Sequence, residues 1–257
     1  MCRIVAISNQ KGGVGKTTTS IGIGTSLAKM GKKVLLVDLD PQGNCTKAFG
    51  IEKFNKSISN VLSQSSSIKR TIKKTIMPGC DIIPSDLSLA FLDSSKLNNP
   101  HPESILKNAL SEIEYKYDYI LIDCPPSLGS LNVNALVAAN KVLIPVQCEF
   151  FALEGVTQIL ATISNIKEKY NPKIEILGFL ISMYDPRNKL SIEISSEIRS
   201  QFKEAVFDTI IPRNISIPES QAKGIPTILF RPNSSGAVAY YQAGREFIER
   251  DKIIYQK

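Results

Sequence analysis

The chain has 257 residues, 43% hydrophobic and 21% charged. That balance excludes a disordered chain and leaves enough apolar surface for a substantial core. No apolar run approaches the roughly 18–20 residues that cross a bilayer, so a cytoplasmic protein is expected. Five scattered cysteines, one histidine (His101) and no CxxC pair argue against a zinc or iron–sulfur centre. The net charge is +7, and residues 1–110 carry 15 basic and 7 acidic side chains, against 11 and 8 in residues 187–257. An excess of this sign fits either a polyanionic partner or a lysine-solubilised surface.

In chain order, Arg3–Ser8 reads as a buried strand that runs into Asn9-Gln-Lys11-Gly12-Gly13-Val14-Gly15-Lys16-Thr17-Thr18. Glycines let backbone N–H groups curl around phosphate oxygens, and a following helix aims its positive end at them. Lys16 is expected on the β- and γ-phosphates of ATP, and the Thr17 hydroxyl on Mg²⁺. Gln10 stands where the usual motif has its first glycine, and a second lysine, Lys11, sits inside the loop. This is the deviant form of the Walker A motif. Lys11 is poorly sited for the phosphates of its own nucleotide.

A second strand, Lys33–Val37, ends in Asp38-Leu-Asp40-Pro-Gln-Gly-Asn44. Two carboxylates one residue apart at the carboxyl end of a parallel strand face the same crevice as the loop. Asp40 is expected to position the attacking water, with Asp38 in a supporting role on Mg²⁺-bound water. The stretch from Ile51 to Pro100 is less regular and is read as short helices. Its run Ile68-Lys-Arg-Thr-Ile-Lys-Lys74 is the densest basic cluster, which reads first as a solvated face.

Strand Tyr119–Ile122 closes on Asp123-Cys-Pro-Pro126, a Walker B pattern with Asp123 on Mg²⁺ through water. Lys141–Val146, Ile174–Ile181 and Val206–Ile211 are further strands. Lys189–Lys203 is a helix striped by Leu190, Ile194, Ile198 and Phe202. The fold class is therefore α/β: a mostly parallel twisted sheet with helices on both faces. No repeat or linker divides residues 1–257, so one domain is expected.

Together these motifs resemble the ParA/Soj family of partition ATPases, within the group that includes MinD. The resemblance extends to Tyr184-Asp-Pro-Arg187 and to Ile211-Pro-Arg-Asn214 followed by Pro218-Glu-Ser220. It implies a slow ATPase that dimerises with ATP, coats DNA without sequence preference, and is stimulated by a ParB-type centromere-binding partner. It places Pro212 and Asn214 on the adenine, has Lys11 reach across a dimer interface to the partner's ATP with a part in hydrolysis, and implies a nucleoid-associated location. DNA contacts are expected among Arg187, Lys189, Arg199, Lys203, Lys223, Arg231 and Arg245. A MinD-like regulator would instead bind membrane through a basic amphipathic C-terminal helix. Residues 245–257 mix acids and bases over a narrow apolar face and read as a helix packed on the domain, so stable membrane association is not expected. A metabolic enzyme of the same superfamily is the other rival.

Overall fold

A computed structural model describes residues 2–92, 99–127 and 129–253. The strands β1 (Arg3–Ile7), β2 (Val34–Asp38), β3 (Lys73–Lys74), β4 (Cys80–Ile83), β5 (Tyr119–Asp123), β6 (Lys141–Gln147) and β7 (Glu175–Ser182) form one sheet. Their order is β3-β4-β2-β5-β1-β6-β7, parallel throughout except for β3 against β4. The chain first builds outward from β1 on one side and later continues through β6 on the other. Ligand crevices form at the carboxyl ends of strands at such a reversal.

The helices are α1 (Lys16–Lys29), α2 (Asn44–Lys47), α3 (Ile58–Leu62), α4 (Ile105–Ser111), α5 (Ser130–Ala138), α6 (Ala152–Lys169), α7 (Lys189–Phe202), α8 (Ser216–Ala222), α9 (Thr227–Phe230) and α10 (Ser235–Ile253). Alternate strand residues serve opposite faces of the sheet. Val5, Ile7, Leu36, Leu121 and Leu143 pack with Ile23 and Leu27 of α1 and Ala243 and Phe247 of α10. Ala6, Val37, Ile122 and Ile144 pack instead with Leu110 of α4, Leu136 of α5, Val156 of α6 and Ile198 of α7. Burial on both sides explains why these strands read as continuous apolar runs.

The predicted strand Val206–Ile211 does not form. The segment meets β7 and the residues after it through isolated bridges, Phe179 with Val206 and Tyr184 with Pro212, and through the N–H groups of Phe207 and Ile211, which donate to the Phe179 and Ile181 carbonyls at 2.9 Å each. Between them, the N–H groups of Asp208 and Thr209 donate to the Glu246 carboxylate at 2.7 and 2.9 Å, so a side chain of α10 takes the place of a ladder. The Ile51–Pro100 stretch holds the short helix α3 and turns of 3₁₀ helix at Ile68–Arg70 and Leu87–Phe91, but also β3 and β4. Residues 93–98 of that stretch, and 254–257 of the expected C-terminal helix, lie outside the described residues.

Further contacts hold α10 in place. Lys141, at the start of β6, is 1% exposed, and its Nζ donates to Asp251 Oδ1 at 2.8 Å and to the Asp251 carbonyl at 3.1 Å. Higher up, Gly22 of α1 lies against the Tyr240 ring. A Cβ at position 22 would sit 2.4 Å from ring carbons, so only glycine lets the two helices approach this closely.

Candidate active site

The loop between β1 and α1 is anchored from three directions. Asn9 donates to the Pro145 carbonyl of β6 at 2.8 Å, Ser8 donates to Asn132 of α5 at 3.1 Å, and Ser182 of β7 donates to the Val14 carbonyl at 2.7 Å. Gly13 and Gly15 adopt φ of 77° and 88°, the left-handed region that penalises any side chain. Helix α1 then starts at Lys16 with no acidic residue in its first turn. Its first N–H groups have no partners within the helix. The result is a rigid, positively polarised nest for anionic oxygens.

Lys16 is 7% exposed and its Nζ donates to the Lys11 carbonyl at 2.9 Å. Burial lowers its pKa, while Asp123, Cys124 and Asp40 pull the other way. Lys11 points elsewhere, to Glu149 Oε2 at 2.9 Å, while Gln147 donates to the other oxygen of that carboxylate at 2.5 Å. Gln10 donates to Thr162 of α6 at 2.9 Å.

Asp38 and Asp123 are register partners at the carboxyl ends of β2 and β5. Both are buried, and burial is the main cause that raises both pKa values; Asp38 further raises that of Asp123. Their surroundings differ. Asp38 Oδ2 accepts from the Thr46 N–H at 2.8 Å and the Thr46 hydroxyl at 2.6 Å, and Oδ1 accepts from the Asp40 N–H at 3.3 Å. The Ser85 N–H of the loop after β4 donates to the same Thr46 hydroxyl at 3.0 Å. Asp38 thus organises the loop that carries Asp40 from within. Asp123 Oδ1 accepts from Ser20 at 3.0 Å, whereas its Oδ2 is buried without a hydrogen-bond partner. The Thr17 hydroxyl acts with Ser20 to lower the Asp123 pKa against the effect of burial. An unsatisfied buried carboxylate oxygen beside a threonine hydroxyl is a donor set that suits Mg²⁺, a hard cation with oxygen ligands.

Asp38 and Asp123 are buried and do not line the cleft of about 680 Å³ that opens beside them at Thr17 and Asp40. Gly12, Gly13, Gly15, Lys16, Thr17 and Thr18 form one wall; Asp40, Gln42, Asn44 and Lys47 stand opposite, with Pro126 and Gln221 at the sides. Val14 contributes its buried side chain to the core. Pro212 and Asn214 are not among the lining residues. Asn214 instead donates to Ser235 at 2.6 Å and accepts from the Ser216 N–H at 2.8 Å, which sets the start of α8. That helix brings Gln221 to the cleft, where its amide donates to Thr18 at 3.1 Å. Gln221 and Lys47 belong to no motif and were not anticipated; Gln42 and Asn44 lie within the Asp-Pro-Gln-Gly-Asn run but had no assigned role.

Of the basic residues expected to meet DNA, three are engaged locally. Arg187 grips both oxygens of Asp185 at 2.9 and 2.8 Å, Arg199 donates to the Phe207 and Asp208 carbonyls at 3.0 and 3.3 Å, and Arg231 pairs with Glu219 at 3.0 Å. Lys189, Lys203, Lys223 and Arg245 are exposed.

A family profile described as an AAA domain matches residues 2–176. The chain is 43% identical to the chromosome partitioning protein ParA of Caulobacter vibrioides, over 97% of this chain and 95% of that one. It is 44% identical to the sporulation initiation inhibitor protein Soj of Bacillus subtilis, over 96% and 98%. Among solved structures, cobyrinic acid a,c-diamide synthase of Mycobacterium smegmatis with bound ADP and magnesium superposes with a TM-score of 0.86 at 35% identity, covering 98% of this chain and 96% of that one. With near-complete coverage and the phosphate loop and paired strand-end carboxylates in place, the chain belongs to the ParA/Soj family of P-loop ATPases.

Proposed function

We propose that this protein is an ATP-driven switch for chromosome or plasmid partition, built as one ParA-type domain over residues 1–257. The observation that carries the reading is the cleft itself, in which the glycine loop, Lys16 and Thr17 meet Asp40 just past the carboxyl end of β2, next to the strand β5 that ends in the buried Asp123. Identity of 43% to a protein named for chromosome partitioning, against 35% to the diamide synthase, supports the partition branch over a metabolic role.

The activity is ATP hydrolysis with Mg²⁺ as cofactor. The backbone of Gly12–Gly15 and the first turn of α1 hold the phosphates, and Lys16 neutralises charge on the β- and γ-groups. Thr17 directly, and Asp38 and Asp123 through water, would hold Mg²⁺, which would supply neutralisation of phosphate charge. Asp38 supports that shell by holding the Asp40 loop through Thr46. Asp40 orients the attacking water. Pro212 and Asn214, in the turn before α8, hold the adenine. Lys11 leaves Glu149 to serve the nucleotide of a second subunit, so that ATP holds a dimer together. The dimer binds DNA non-specifically, through residues such as Lys189, Lys203, Lys223 and Arg245, and associates with the nucleoid. A ParB-type centromere-binding protein stimulates hydrolysis and resets the state.

A MinD-like membrane role receives less support. Ala239, Tyr240, Ala243 and Phe247 of α10 are buried against the domain, so that its apolar side is not free for lipid. No described helix is long and apolar enough to cross a membrane.

The test is retention of protein on duplex DNA with ATP, ADP or no nucleotide. Retention is expected with ATP alone, lost in Lys16→Ala and prolonged in Asp40→Ala, where the dimer forms but turnover fails. Equal retention in all three nucleotide states would refute the switch.

A further inference from the structure

The densest basic run of the sequence has no part in the cleft, and the fold gathers it with lysines from two other segments. Lys33 immediately precedes β2, Lys116 lies three residues before β5, and Lys69 and Lys74 flank the strand connection into β4. These four lysines, with Asp81, Ile72, Gly79 and Tyr117, line a second cleft of about 570 Å³. It sits at the amino ends of β2 and β5, the end of the sheet opposite the nucleotide. Arg70 and Lys73 flank it in the chain.

Only part of this charge is compensated; Asp118, next to Tyr117 in the chain, is exposed and its Oδ2 accepts from the Lys33 N–H at 2.7 Å. Asp81 is the carboxylate inside the cleft, and its Oδ2 is shared between Lys74 at 2.9 Å and the Tyr117 hydroxyl at 3.0 Å. Lys69 meets Glu112 at 3.7 Å with both side chains about half exposed, a pair too solvated to resist a competing anion. Among the described residues Lys33, Arg70, Lys73 and Lys116 have no salt-bridged carboxylate. The apolar members of the cleft, Ile72 and Tyr117, are half-buried, so charge rather than an insertable apolar face meets solvent. That arrangement suits a phosphate chain better than lipid tails. The distribution of charge agrees, since residues 1–110 hold an excess of eight bases against three in residues 187–257.

We infer that this lysine cleft is a second contact surface for the phosphate backbone of nucleic acid, separate from the C-terminal basic residues. The inference rests on the DNA-binding reading above. Because the cleft is at the far end of the sheet, a dimer that closes over the nucleotides leaves one such surface on each subunit free. Two weak surfaces on one particle gain strongly from joint engagement of a long duplex.

The test measures the affinity of the full chain with ATP for a random-sequence duplex at several salt concentrations. Each phosphate contact contributes about −0.9 to the slope of log K against log salt. The variant Lys69→Gln/Lys74→Gln/Lys116→Gln is expected to flatten the slope by about 2 to 3, with DNA-independent ATP turnover and melting temperature unchanged. If the triple variant is unstable, Lys116→Gln alone, exposed and without a salt bridge, should flatten it by about 0.9. An unchanged slope overturns the inference. So does a slope carried wholly by Lys189, Lys223 and Arg245 in the matching glutamine variant, or loss of binding to phosphatidylglycerol vesicles with DNA binding intact. A wild-type protein that ignores DNA with ATP sinks the parent reading instead, which separates the two failures.

Discussion

Replacing Lys141 with methionine isolates the ion pair that fastens α10 beneath the sheet. The lysine is 1% exposed and its partner Asp251 is 6% exposed, so the substitution strands a carboxylate in a nearly dry site. Breaking one side of a buried pair costs about 3–5 kcal/mol, mostly through the charge left behind. Arg3 Nε remains 3.5 Å from Asp251 Oδ2 and the Tyr119 hydroxyl 3.4 Å from the same oxygen, which places the cost near the lower end, about 3 kcal/mol. For a chain of this size each kcal/mol moves Tm by about 2–4 °C, so a fall of roughly 6–12 °C is expected. Lys141→Met/Asp251→Leu removes both buried charges and fills the space, leaving Arg3, whose side chain is 19% exposed, to be met by water, and should recover most of the loss, since apolar replacement of a buried pair is often neutral or stabilising. Calorimetry on both single variants and the double gives the coupling energy directly. ATP affinity should not move, because the pair lies at the amino end of β6. A double variant as unstable as Lys141→Met would show that the cost is not a stranded charge, and the reasoning would fail.

Gly22→Ala drives a methyl into the Tyr240 ring and should lower stability by about 1–3 kcal/mol in urea titration, with Tyr240→Leu partly relieving it. Thr46→Val removes a hydroxyl bond to the Asp38 carboxylate and the acceptor for Ser85 N–H. A loss of about 1.5–3 kcal/mol and slower ATP turnover are expected, and Thr46→Ser should restore both. Burial holds Asp123 and Asp38 above the ordinary carboxylate range. The nucleotide-free fold therefore binds more protons than the unfolded chain once pH exceeds about 4. Its stability should decline as pH climbs from there through the raised values. Asp123→Asn should show a shallower decline in Tm between about pH 5 and pH 8, and an equal slope in both proteins would contradict the shift.

What could be read from the sequence depended on whether the determinant was local. The phosphate loop was legible because each residue type answers a demand made within nine positions: glycines for positive φ, Lys16 for charge, Thr17 for a hydroxyl. The strands β1, β2, β5 and β6 were legible because burial on both faces leaves an unbroken apolar run. β4 is also fully buried, but four residues carry too little pattern to stand out from the irregular stretch around them. Val206–Ile211 looks like a strand, and no local signal tells that Glu246, far along the chain, claims its N–H groups. The bonding of Asp38 was hidden for a similar reason, since its partner Thr46 lies on the next helix. Gln221 reaches the cleft only because Asn214 and Ser235 fix where α8 begins, a relation between segments that no spacing rule encodes.

The contact between Lys11 and Glu149 has a consequence for timing. Both side chains are partly open to water, at 27% and 49%, and a pair of that kind contributes at most about 1 kcal/mol. The lysine is therefore parked rather than locked. It waits in a defined place instead of sweeping through its rotamers; in the dimer proposed above, a triphosphate brought close by another subunit would outbid a single carboxylate without disturbing any core packing. Moderate salt should loosen the parked state while leaving the fold untouched, so that, on that proposal, readiness to dimerise would be tunable separately from stability.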